Sequence, residues 1–292
     1  MDRIQTEWQA LARLRQKVRN LYLVHMLGYL LVLVLLAVGV RIPAVVLGIV
    51  NMIISLAYVR RRAVAYSNEA TRLNLLLGLC APLQNPECTG KNGMTQQQFT
   101  ALQMLPTGRN KNDGLMCHNG FAGQGWGMTL KGFEATLAYP HKGKNDRPVF
   151  TYLNGTVLTA GALPAGHLRG DWLLLRRDLV VDETRRIFAE SCGYRLVETD
   201  DALEETFYIY THGEDAAMPA HLRHHLALLV QAAGGVGAVR LTAEAAAVFL
   251  PDQFYTVTIP LHYLPEPQQL TGNPLPQRDA VWELFRYWAK VD

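Results

Sequence analysis

Residues 21–59 read LYLVHMLGYLLVLVLLAVGVRIPAVVLGIVNMIISLAYV, a stretch with a single formal charge, Arg41. A helix over Leu21–Val40 would span roughly 30 Å, the thickness of a bilayer's hydrocarbon core. A second helix from Ile42 to Val59 would reach roughly 27 Å. Pro43 cannot extend the first helix but suits the first turn of the second, so Arg41-Ile42-Pro43 reads as the break. The expectation is a transmembrane helical hairpin turning near residue 42. Such a turn sets Tyr29 level with Ser55 and His25 near Tyr58, and leaves Asn51 opposite Leu33 without a polar partner. Gly28, Gly48 and Asn51 then read as packing contacts, within the hairpin or between copies of the chain. Two spans alone line no pore, which disfavours a transport path.

The flanks orient this hairpin. Arg13, Arg15, Lys17 and Arg19 precede it and Arg60, Arg61 and Arg62 follow it, while the connection carries only Arg41. Short segments rich in Lys and Arg stay cytoplasmic, so both termini are expected in the cytosol, with a bacterial inner membrane as the natural setting. A cleaved signal peptide fits less well, because no small-residue cleavage site follows Val40 and a second apolar segment begins at once.

The net charge of +3 conceals a partition. Residues 1–72 hold ten Lys or Arg against Asp2, Glu7 and Glu69, and the remainder holds 18 against 22. The basic collar suits an anionic leaflet, each such residue gaining roughly 1 kcal/mol near it. The mildly acidic remainder lacks the basic face that nucleic-acid binding requires. Cys80, Cys88, Cys117 and Cys192 fit a reduced compartment better than a disulfide scaffold.

Beyond the hairpin, residues 1–20 read as an amphipathic helix along the membrane, with Trp8, Leu11 and Leu14 on one side. Residues 60–94 read as a stalk and linker, the stretch APLQNPECTGKNG (81–93) being turn-rich. Thr95 and Gln98 form a capping-box pair for a short helix. Residues 95–263 read as an α+β domain in two β-rich halves. Strands are expected near 115–122, 126–139, 147–153, 156–162, 171–177, 205–211, 236–241, 245–250 and 253–263, with helices at 182–191 and 219–233. Asn154-Gly155 is the strongest hairpin signal and Asn119-Gly120 a second, weaker one, with Gly123, Gly125 and Gly127 after it as bulge positions instead. A proline-rich arm and final helix occupy 264–292. The fold class is therefore α+β: a hairpin followed by a mixed, mostly antiparallel sheet with packed helices.

Phe121-Ala122-Gly123 and the later Phe207-Tyr208-Ile209-Tyr210, followed by Glu214-Asp215 and a late strand with Phe254, carry a resemblance. The chain resembles the bacterial two-span membrane proteins of domain-of-unknown-function family 3137. The resemblance implies membrane location and topology, and lends no catalytic residues.

No reaction is spelled out by the residues. His221 and His225 have zinc-helix spacing but lack the intervening acid of H-E-x-x-H. Gly123, Gly125 and Gly127 precede a strand, whereas a phosphate loop leads into a helix. Gly234-Gly235 follows a helix in the C-cap arrangement. Cys117 and His118 are adjacent, which suits neither a shared zinc nor a nucleophile–base pair. No catalytic residue, cofactor site or metal ligand is assigned. Asp200, Asp201, Glu204 and Glu205 form an acidic stretch suited to docking a basic partner. The leading expectation is a membrane-anchored binding or scaffolding protein. The alternatives are a membrane-bound enzyme using Cys117 and His118, and a homo-oligomeric membrane assembly.

Overall fold

The structure is a computed structural model that describes residues 2–89, 93–108, 114–142, 147–161, 171–197, 202–212, 218–233, 235–257 and 259–289. It divides into two compact units, one of residues 1–81 and 256–274, the other of residues 82–255 and 275–292.

The first unit is helical. Helix α1 (Asp2–Ala37) and helix α2 (Arg41–Leu79) are both long and apolar enough to cross a membrane. Two π-helical turns, Ser55–Val59 and Leu75–Leu79, interrupt the regular winding of α2. The break falls at Val38-Gly39-Val40, earlier than expected, because Gly39 adopts a φ of 86° that only glycine takes freely. Arg41-Ile42-Pro43 already belongs to α2. Residues 1–20 do not form a separate surface helix but are the continuous start of α1, with Leu11 and Val18 buried.

These residues are buried against the far end of α2 and a strap, residues 256–274. Leu11, Val18, Tyr66, Ala70, Leu73, Ile259 and Leu270 share one apolar cluster. The described residues of the strand expected over 253–263, namely 253–257 and 259–263, form no strand. Carbonyls that would have paired in a sheet instead accept from helix side chains. Arg15 donates through Nε to Leu261 (3.1 Å) and through Nη2 to His262 (2.7 Å). Tyr66 Oη donates to Tyr263 (2.6 Å) and Trp8 Nε1 to Pro265 (2.9 Å). The proline-rich arm then folds into a short helix, α7 (Pro267–Thr271), capped by a Glu266/Gln269 box.

The second unit is one nine-stranded open sheet in the order β1-β2-β3-β4-β9-β8-β5-β7-β6, every described pair antiparallel. Its strands are β1 (Gln84–Thr89), β2 (Leu115–Gly125), β3 (Met128–Lys142), β4 (Pro148–Gly161), β5 (Trp172–Arg176), β6 (Arg195–Val197), β7 (Phe207–Thr211), β8 (Ala238–Leu241) and β9 (Ala245–Pro251). The two β-rich halves therefore form a single sheet, joined where β4 pairs with β9. The supposed linker contributes the edge strand β1.

Asn154-Gly155 is not a hairpin. It lies inside β4, paired with Thr136 and Ala135 of β3, and the glycine is there for close approach. A Cβ at Gly155 would sit 2.2 Å from the Leu250 carbonyl oxygen of β9. The real tight turn joins β2 to β3 at Trp126-Gly127, with φ of 51° and 79°. Positive φ at both central positions is what a two-residue hairpin of type I′ demands. Asn119-Gly120 is not a hairpin turn either: it makes a bulge inside β2, between His118 and Phe121, with Asn119 at φ 51°.

On one face, the alternate β3 residues Phe133, Ala135, Leu137 and Tyr139 pack with Phe99 from helix α3 (Gln96–Ala101) and Ala189 from helix α4 (Asp182–Ser191). The expected capping box at Thr95 is present, and Gly193 ends α4 at φ 75°. Helix α5 (Ala202–Thr206) replaces the start of the expected 205–211 strand. Helices α6 (Ala220–Ala233) and α8 (Arg278–Ala289) pack on each other, His225 stacking on Tyr287 at 3.4 Å between ring centroids.

Because Gly155 has no room for a side chain, Gly155→Val should cost about 1–3 kcal/mol through forced separation of β4 and β9. Gly161→Ala, whose Cβ would meet nothing nearer than 4.0 Å, should stay within about 0.5 kcal/mol. Urea unfolding of the detergent-solubilised chain, followed by near-ultraviolet circular dichroism, measures both.

Candidate functional site

Arg240 sits in the middle of β8 among apolar neighbours, only 4% exposed. A buried guanidinium is tolerable only when its donors are matched. Here all three nitrogens find acceptors. Nε donates to the Leu102 carbonyl (3.0 Å), Nη1 to those of Trp172 (3.5 Å) and Leu241 (3.3 Å), and Nη2 to Asp171 Oδ2 (2.8 Å). Nη1 also pairs with Asp171 Oδ1. The guanidinium carbon lies 5.1 Å from the centre of the Tyr194 ring. Burial lowers the Arg240 pKa to about 10, which still leaves the cation in place at neutral pH. Burial also pushes the Tyr194 phenol well above its ordinary value, so it stays neutral.

Arg240 and Asp171 form part of the wall of a cavity of about 600 Å³. Ala101, Ala243 and Ala245–Ala247 supply a smooth apolar lining, while Asp171, His212, Thr242 and Glu244 supply polar groups. His212 and Glu244 are exposed. Thr242 is committed to its own turn: Oγ1 donates to the Ala245 carbonyl and accepts from the Glu244 and Ala245 amides. Tyr194 tilts against His212 at 4.3 Å and so limits where that ring can go. The lining holds no serine, cysteine or lysine to serve as a nucleophile. The arrangement is a recess with a hydrogen-bonded wall and a polar mouth, suited to holding a ligand. Sequence reasoning missed it, although an arginine inside the run Val236–Leu241 and an aspartate directly before Trp172–Leu175 were the available signal.

The helical unit contains its own polar site. His25 Nδ1 lies 2.5 Å from Asn51 Oδ1, and Asn51 Nδ2 donates to the His25 carbonyl at 3.1 Å. Asn51 is therefore not without a polar partner. The pairing centres on residue 38, as the earlier break requires. Gly28 opens the space: a Cβ there would lie 3.0–3.1 Å from three atoms of the Asn51 amide. Gly48 faces Val32 at ordinary contact distance. Gly28 and Asn51 thus act within one chain.

Of the collar, Arg13, Lys17, Arg19, Arg60, Arg61 and Arg62 are exposed. Arg15 is half-buried and spends its donors on the strap. Asp200 and Asp201 lie outside the described residues. Glu205 is exposed on α5, and Glu204 is half-buried, its carbonyl accepting from Arg177 Nε at 2.7 Å. Cys117 and His118 are neighbours on β2 and so point to opposite faces. Cys117 packs against the core, its Sγ 3.1 Å from the Met94 carbonyl, while His118 is exposed. Among the described residues no three of His, Cys, Asp and Glu gather closely enough to hold a metal ion. Gly123–Gly127 ends one strand and turns into the next.

No family model matches the chain, and neither a curated protein nor a solved structure matches it.

Removing one partner of the Arg240–Asp171 pair should leave an uncompensated charge. Arg240→Met is expected to cost about 3 kcal/mol, and Arg240→Met with Asp171→Leu to cost less than that single change. A double-mutant cycle by urea unfolding reads the difference.

Burial raises the Cys117 pKa, so its thiolate fraction at pH 8 should fall below that of an ordinary cysteine. Iodoacetamide should label Cys117 more slowly in the folded chain than in urea at that pH. The folded-state rate should still be climbing above pH 9.

Proposed function

We propose that the chain is a membrane-anchored binding module, held by two spans with both termini in the cytosol. One observation carries the anchoring: only 6% of the apolar window in α1 and 17% of that in α2 is buried inside the protein. A helix of a soluble core would hide most of such a window. Leu33, Val38 and Ile42 are 63%, 73% and 80% exposed, and a surface of that character belongs against lipid. The His25–Asn51 pair supports the same reading, since polar groups among hydrocarbon tails must satisfy each other. Arg13, Lys17, Arg19 and Arg60–Arg62 then face an anionic leaflet on the cytosolic side. This reading keeps the chain beside the two-span family it resembles.

Binding is favoured over catalysis because Cys117 and His118 do not converge and the lining of the recess beside Arg240 holds no serine, cysteine or lysine. The sheet edges are poor docking strips. β1 carries Pro86 and an irregular register, and β6 is three residues long with Arg195 on it. The recess of Asp171, His212 and Glu244 is the better place for a small ligand or a partner's side chain. Exposed Glu205, in the stretch of sequence that also holds Asp200 and Asp201, is where a basic partner would dock.

Cysteines introduced at Arg13 and at Glu205 should resist a membrane-impermeant maleimide in intact cells. A cysteine at Ile42 should react. Strong labelling at position 205 from outside would overturn the orientation. Arg60, Arg61 and Arg62 changed together to Glu should yield inverted or poorly inserted protein.

A further inference from the structure

The β3–β4 ladder ends in an apolar patch that is exposed among the described residues. Its register pairs Pro140 with Phe150 and Ala138 with Tyr152, so these four side chains share one face of the sheet. Met116 lies across from Thr136 on the neighbouring strand and extends the same face. Phe150, Tyr152 and Met116 are 42%, 59% and 53% exposed, and Pro140 is exposed as well. Tyr139 and Leu153, on the opposite face of the same strands, are buried in the core. Single exposed apolar residues need no explanation, but four on one face of two or three adjacent strands do.

The charge around the patch is net positive: residues 142–147 hold Lys142, Lys144 and Arg147 against Asp146. Lys142 and Arg147 are exposed at the ends of the same two strands. The described residues 114–125, 135–142 and 147–161, which make up β2, the distal part of β3 and all of β4, contain no Asp or Glu. Aromatic and proline side chains bordered by cations suit the headgroup layer of an anionic bilayer: the rings enter the interface and the cations meet phosphate. A second copy of the chain suits it less well, because a two-fold contact would set Lys142 and Arg147 against their own counterparts.

We propose that this end of the β3–β4 ladder is a second lipid contact, made by Met116, Pro140, Phe150 and Tyr152 with Lys142 and Arg147 on lipid phosphates. The proposal rests on the membrane-anchored reading above. Tethering by the two helices raises the effective concentration of bilayer at the patch, so a contact too weak to bind free vesicles suffices.

The test is hydroxyl-radical footprinting of the full chain, read by mass spectrometry at Met116, Phe150 and Tyr152. The protein is placed in nanodiscs of phosphatidylcholine alone or with added phosphatidylglycerol, and in detergent. Modification at the three residues should fall several-fold in the anionic nanodiscs relative to the neutral ones, while Trp126 at the β2–β3 turn stays unchanged. Lys142→Glu with Arg147→Glu should restore it. Equal modification in the two nanodiscs overturns the lipid contact. Protection that persists in detergent and grows with protein concentration overturns it in favour of self-association. Failure of the chain to remain with the nanodiscs after an alkaline wash overturns the anchored reading, and the lipid contact with it.

Discussion

The helical unit depends on finding donors for the carbonyls of a strap that has no sheet to join. Buried or half-buried carbonyls without partners are costly, and residues 256–265 pass over helices whose own backbone donors are already used. Arg15, Trp8, Tyr66 and Thr71 supply the missing donors from side chains, the last through Oγ1 to the Val257 carbonyl at 3.0 Å. Asn74 adds Nδ2 to the Gln269 and Leu270 carbonyls. This polar fastening brings Ile259 and Leu270 onto Leu11, Val18 and Tyr66. The start of α1 and the end of α2 are thereby joined through a segment whose bonds to them span 186 to 257 residues of sequence.

Two arginines in this protein show why a charge in a sequence does not announce its role. Arg15 looks like one member of a collar, yet it grips two successive carbonyls with the fork geometry that lysine lacks. Arg240 looks like a solvated break in an apolar strand, yet it ties Leu102, Trp172 and Asp171 together from inside. Arg60, Arg61 and Arg62 do remain exposed, as a collar requires. The difference lies in what stands opposite, and no local pattern reports that.

Local signals were legible where local physics decides. The Thr95/Gln98 capping box, the left-handed Gly193 after α4, and the helices at 182–191 and 220–233 all rest on contacts a few residues apart. The α+β class was readable for the same reason. Asn154-Gly155 misled because glycine serves close approach as readily as it serves turns, and only the pairing of β4 with β9 distinguishes them. Gln253–Tyr263 has strand composition, but composition does not provide a neighbour to pair with. The recess around Arg240 is built from residues 101, 171, 212, 240 and 244, and their meeting is a property of topology alone.

The strap sets an order of events during synthesis. Leu77 and everything before it leave the ribosome long before Thr256 exists. At roughly 5–20 residues per second, the roughly 180 intervening residues take about 10–35 s. For that interval Leu11, Val18, Tyr66 and Leu73 have no strap to cover them, while α1 and α2 are already complete. The helical unit is thus begun before the first strand of the sheet and finished only after the last.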